Sequence, residues 1–137
     1  MTEKDVFEKL VPLIREVTGA REDQITMDSG LMQDLGAESV DLLDFTFLIE
    51  EVFGITIEAD EFEQKARRQI PGGLFEKDGY LTQDALEELK KALPEVSAGH
   101  FKPGLKKIEL PGMLNVAVFV HLIQRKLIEK PQEAGNA

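Results

Sequence analysis

The sequence predicts an all-α domain of five helices, with an irregular loop between the last two. Three observations carry this. Apolar residues recur at helical spacing in several separate stretches, and capping signals bracket those stretches. Only one segment, Ile55-Thr56-Ile57, alternates, and it is too short for more than an extended connector. At 137 residues the chain is one small domain, long enough to bury a real core.

The first helix opens at Thr2, with Asp5 three residues on in a capping-box pattern. Val6, Phe7, Leu10, Val11, Ile14 and Val17 then share one face. Pro12 inside this run removes a backbone bond and predicts a bend, at about 3 kcal/mol unless packing offsets it. Gly19 suits the C-terminal cap. Residues 20–38 read as a loop anchored by Ile25, Leu31 and Leu35, and a loop this long favours a functional role. The second helix spans about Ser39 to Phe53. Leu42, Phe45, Ile49, Val52 and Phe53 fall in an arc about 100° wide, the expected core face. Opposite them, Val40, Asp44, Phe47 and Glu51 lie within about 60° of one another. Apolar residues set among acids on an outer face fit a docking stripe, against the plainer reading of singly exposed side chains.

Gly54 ends this helix, and Asp60 is placed to cap a short third one that reaches about Arg68 and is anchored by Phe62. Pro71-Gly72-Gly73 then punctuates the chain. Thr82 caps a helix from Gln83 to Leu93, with Leu86, Leu89 and Leu93 on one face and Pro94 closing it. Residues 95–112 lack periodicity and predict an irregular packed loop held by Phe101, Leu105, Ile108 and Leu110. The last helix covers about Leu114 to Ile128, with Val116, Phe119, Val120, Ile123 and Leu127 inward, and 131–137 reads as a disordered tail.

The net charge of −10 is unevenly placed. Residues 1–68 carry 17 acids against 7 bases, while 69–137 carry 9 of each. From Glu22 to Glu63 there are 13 acids and no Lys or Arg. Interleaved with Leu, Ile, Phe and Val, these acids predict a folded acidic face that repels nucleic acid and anionic lipid and steers basic protein surfaces toward it. No apolar run approaches the roughly 20 residues of a membrane span. The charged N-terminus lacks a secretory pattern, so a cytoplasmic protein without stable membrane insertion is expected. Zero cysteines exclude disulfides, thiolate chemistry and cysteine metal sites.

Most catalytic chemistry fails on inspection. Only His100 and His121 could serve as a base for a serine nucleophile, and His121 projects away from its helix's apolar stripe, which predicts a surface histidine. Ser39 lacks the G-x-S-x-G context of a hydrolase elbow. Residues 76–82 imitate the middle of a calcium loop, but its first and twelfth positions fall on Leu74 and Ala85, where carboxylates are needed. A glycine turn before a capped helix explains that segment better. No P-loop, dinucleotide fingerprint or zinc spacing is present.

Ser39 remains. It follows a glycine turn and opens a helix, where free N–H groups and the helix dipole favour an anion such as a phosphodiester on its hydroxyl. A serine there is equally well explained as a helix N-cap. From local structure the two readings stand even.

The passage Asp34-Leu35-Gly36-Ala37-Glu38-Ser39-Val40-Asp41, with a helix ending Glu50-Glu51-Val52-Phe53-Gly54-Ile55-Thr56-Ile57, resembles the acyl carrier proteins. The resemblance covers 1–68 and resumes at 114–128. It implies an acyl-carrier-like four-helix bundle, antiparallel in arrangement, with an inserted extra helix and irregular loop. It also implies a single carrier domain over 1–130, with 69–113 as the insertion. In that family a separate phosphopantetheinyl transferase attaches 4′-phosphopantetheine from coenzyme A to the serine, making the carrier a phosphoprotein. The thiol of that arm holds acyl groups as thioesters. Ser39 is then the attachment residue, and Val40, Asp41, Asp44, Phe47 and Glu51 are the docking residues. Partners are acyl-loading, elongating and acyltransferase enzymes with basic patches. The carrier performs no chemistry itself and suits a monomer.

Two departures qualify the resemblance. Glu38-Ser39-Val40 stands where the family usually has Asp-Ser-Leu, which keeps the charge and apolar character but puts the accepting transferase in doubt. Ordinary carriers of fatty acid biosynthesis cross 69–113 in a few residues, so this chain is similar to the longer forms of lipid biosynthesis associated with very-long-chain or hydroxy acyl transfer to lipid A. The insertion admits three readings: an acyl cavity lined by Leu86, Leu89 and Leu93, a partner-specific surface, or extra core. Two rivals are a carrier of polyketide or aminoacyl units and a binding module that never receives the arm.

Overall fold

The computed structural model describes residues 1–58, 61–70 and 72–129. Five α-helices carry the fold: α1 (Glu3–Thr18), α2 (Ser39–Phe53), α3 (Glu61–Arg67), α4 (Gln83–Ala92) and α5 (Val116–Glu129). The expected Asp60 cap, Pro71 and the 131–137 tail lie outside the described residues.

The capping logic holds at the atomic level for α1. Asp5 N–H donates to Thr2 Oγ1 at 3.0 Å, and Thr2 N–H donates back to the Asp5 carboxylate at 3.1 Å. Those two bonds also hold the Asp5 carboxyl below the usual carboxylate range. The helix runs unbroken through Pro12, whose ring faces solvent while Val11, Leu13 and Ile14 are buried around it. Thr82 likewise caps α4 by accepting from Ala85 N–H. Asn115 caps α5, with its Oδ1 accepting from Val118 N–H and its Nδ2 donating to Glu95 O.

Two apolar clusters divide the interior. The first packs α1, α2 and α5 around Leu10, Ile14, Phe45, Ile49, Val116 and Phe119, with Phe45 and Phe119 edge to face at 5.1 Å. Ile25, Leu31 and Leu35 anchor the long loop into it. The second cluster joins Ala66 of α3 to Phe75, Leu86, Leu89, Phe101 and Val118. Both clusters lean on α5, where seven residues from Val116 to Ile123 are buried, interrupted only at His121. A helix apolar nearly all round is one covered on more than one side. Residues 69–113 supply that second cover.

Four expectations are refined or corrected. The expected glycine turn before the capped helix is present, and it closes a small antiparallel hairpin of Glu76–Lys77 (β1) and Tyr80–Leu81 (β2). Asp78 and Gly79 both take positive φ, as the tightest hairpin turn requires. Val52, at the edge of the buried Phe45-Ile49-Phe53 arc in the last turn of α2, is exposed. Ile108 is 81% exposed and is no core contact. It sits in the 3₁₀ segment Lys107–Met113, where side chains three apart line up, so Leu110 and Met113 share the packed side and Ile108 stands off it.

His121 is the fourth correction. It is not a free surface histidine: Nδ1 lies 2.6 Å from Glu95 and Nε2 2.6 Å from Glu3. Burial works against the charged ring, but hydrogen bonds and attraction from the two carboxylates outweigh it and raise its pKa. The expectation failed because it assumed that α5 buries a single face.

Candidate functional site

The turn before α2 is built residue by residue from the Asp34–Ala37 passage. Asp34 accepts the Gly30 N–H at 2.7 Å, and the Asp34 and Leu35 N–H groups donate to Gly30 O. Leu35 and Ala37 are buried, and Gly36 between them takes φ +79°, a conformation that L side chains rarely adopt. Ala37 N–H closes the turn on Leu31 O. This loop is laced to the start of α5 by three backbone bonds: Leu31 N–H to Leu114 O, Val116 N–H to Ser29 O and Ala117 N–H to Met27 O.

The turn delivers Ser39 to the first position of α2, exposed to solvent. The N-cap is Glu38, whose N–H donates to the Asp41 carboxylate at 2.9 Å. Ser39 is therefore not the cap, and its hydroxyl has no hydrogen-bond partner among the described residues. Ser39 opens onto a cleft of about 660 Å³ whose far wall comes from the 97–113 stretch, including Ser97, His100, Lys102, Ile108 and Met113.

A protein-family model for the phosphopantetheine attachment site matches residues 8–67, a span that contains the whole turn and α2. Over 64 residues the chain is 39% identical to the acyl carrier protein of Petrotoga mobilis, covering 75% of that protein and 47% of this one. The chain belongs to the acyl carrier protein family. It is likewise 39% identical over 69 residues to the acyl carrier protein of Guillardia theta, covering 85% of that protein and 50% of this one. The acyl carrier protein of Treponema denticola is 42% identical over 62 residues, 80% of its length and 43% of this chain.

The prosthetic group of such a carrier is 4′-phosphopantetheine, and the residues at the start of α2 fit it. Ser39 presents an accessible hydroxyl with no hydrogen-bond partner among the described residues. The N–H groups of Ser39 and Val40, with no carbonyl partner among the described residues, sit at the positive end of the helix dipole, where a phosphodiester is favoured. The cleft beside them mixes polar and apolar walls.

The expected docking residues of the carrier separate on inspection. Val40 and Phe47 are 58% and 57% exposed, and Asp44 and Glu51 are exposed between them. Asp41 is half-buried, and its carboxylate is committed to the cap. Leu43, 50% exposed, belongs to the same outer surface and was missed. It lies three residues from Val40 and four from Phe47, so the spacing alone would have found it. Glu50 turns to the fold instead, accepting the Ile57 N–H at 2.7 Å. No helix among the described residues is long and apolar enough to cross a membrane.

Proposed function

We propose that Ser39 bears the 4′-phosphopantetheine arm and that the protein presents acyl thioesters to partner enzymes without catalysing a reaction itself. The observation that carries this is the exposed Ser39 hydroxyl, unpartnered at the first position of α2 inside the family-matched span. In the attachment step, Ser39 Oγ displaces adenosine bisphosphate from coenzyme A. The Oγ–P bond forms, the pyrophosphate P–O bond breaks, and the hydroxyl proton passes to a base on the phosphopantetheinyl transferase. The arm then supplies a thiol that carries acyl groups as thioesters.

The remaining residues orient and recruit. The first-turn N–H groups of α2 face the phosphodiester, while Val40, Leu43 and Phe47 offer apolar contacts. Asp44 and Glu51 meet Lys or Arg on acyl-loading, elongating and acyltransferase enzymes. Asp41 acts by holding the cap. We divide the chain into a carrier core, 1–68 with 114–128, and an insertion, 69–113, within one domain. The size of that insertion supports a specialised branch of lipid biosynthesis, with lipid A assembly as the proposed setting in the cytoplasm.

Incubation with coenzyme A and a broad-specificity phosphopantetheinyl transferase, followed by intact-mass measurement, tests the reading. A single phosphopantetheine addition that disappears in Ser39→Ala is expected. Absence of any addition with several transferases would leave a binding module instead.

A further inference from the structure

We infer that an apolar pocket between α3, α4 and the 3₁₀ segment Lys107–Met113 receives the acyl chain, an inference that rests on Ser39 being the point of attachment. The pocket holds about 430 Å³, within the size range of small-molecule sites. Its hydrocarbon lining comes from Phe62, Leu89, Leu93, Leu110 and Leu114. Among its other lining residues, Lys107 Nζ lies 3.5 Å from Glu63 and 3.1 Å from Glu76, tying α3 to β1 beside the apolar surface.

Two residues connect this pocket to the attachment site. Ile108 and Pro111 line both the pocket and the cleft onto which Ser39 opens. Ile108 is also among the most exposed large apolar side chains of the described protein. An apolar chain leading from the cleft to the pocket would pass over that uncovered surface. The walls also say where the site belongs. Apart from Glu61 to Glu63 and Leu114, they come from 69–113, so the pocket is a property of the insertion and not of the first core cluster.

The lining selects the cargo. Phenyl and isobutyl groups offer no hydrogen bond, and the charged lining groups are already paired, Lys107 with Glu63 and Glu76 and Glu61 with Lys126, so burying a polar aminoacyl unit against the apolar part is unfavourable. Each methylene buried there is favourable. The class that fits is an acyl chain with a hydrocarbon run long enough to pass Ile108.

The protein loaded directly from acetyl-, octanoyl- or dodecanoyl-coenzyme A by the transferase provides the test, with intact mass checked first. The dodecanoyl form should shift the methyl resonances of Leu89, Leu93 and Leu110 relative to the acetyl form. Cleavage of its thioester by neutral hydroxylamine should slow with chain length, by up to about fourfold per buried methylene. Ile108→Glu, at an exposed position, should return cleavage of the dodecanoyl form toward the acetyl rate while leaving the circular dichroism unchanged. Shifts confined to Ile49 and Val120 of the first cluster would overturn the assignment, as would chain-length-independent cleavage with no shifts. Failure of every coenzyme A thioester to load would instead sink the carrier reading, and the pocket with it.

Discussion

Among single residues, His121 ties stability to pH, because Glu3 and Glu95 hold its imidazolium from both ring nitrogens. A histidine raised in the folded state contributes stability that is complete below its unfolded value, about 6.5. That contribution is lost as pH rises through the raised folded value. The melting temperature of the wild type should therefore exceed that of His121→Gln most near pH 6, with the gap narrowing toward alkaline pH. A gap that widens with pH would mean that the ring folds neutral. Gly36 makes a second single-residue case. A Cβ there meets nothing within 4 Å, so the cost of Gly36→Ala is backbone conformation alone at φ +79°. It should lower stability by about 1 kcal/mol, or about 4 °C in a thermal melt.

Among elements, α2 holds most of what was legible in the chain. Its span, its Gly54 stop and the outward placement of Val40, Asp44, Phe47 and Glu51 follow from 3.6-residue periodicity and agree with the structure. That Ser39 is not the N-cap did not follow, since the cap and the first helical position are adjacent in sequence. The Asp41 to Glu38 bond, a contact between side chain and backbone, had to be seen. Asp44→Lys should slow acyl loading by a partner about tenfold at low salt, leaving the melt unchanged. The defect should shrink as salt is added, because the Debye length falls to about 8 Å at physiological ionic strength. A defect that ignores salt would place Asp44 outside the encounter surface. Asp41→Lys is the poorer test, since it also removes the cap contact and mixes docking with stability.

Less of the second half was legible, for a topological reason. Local spacing identifies α4 and α5 but not that a second apolar cluster closes on the far side of α5. That is why Val118 was not among the expected inward residues and His121 was misjudged. For the molecule as a whole, 69–113 is more than decoration. Replacing it by a short linker should uncover Val118, whose burial is worth about 1.5–3 kcal/mol. The shortened chain should lose its cooperative melt and bind a hydrophobic dye. A shortened chain that melts sharply and binds no dye would show the first cluster to be self-sufficient.

The doubly covered α5 also sets an order of events. It follows the other described elements in the sequence, yet it supplies Val116, Phe119, Val120 and Ile123 to one cluster and Val118 to the other. Until α5 docks, α1 through α4 pair locally but leave part of their apolar faces uncovered. Neither cluster is complete until α5 docks, so that one docking step engages both halves at once. Such a chain depends on long-range contacts for its nucleus and is slow by the standards of small helical proteins.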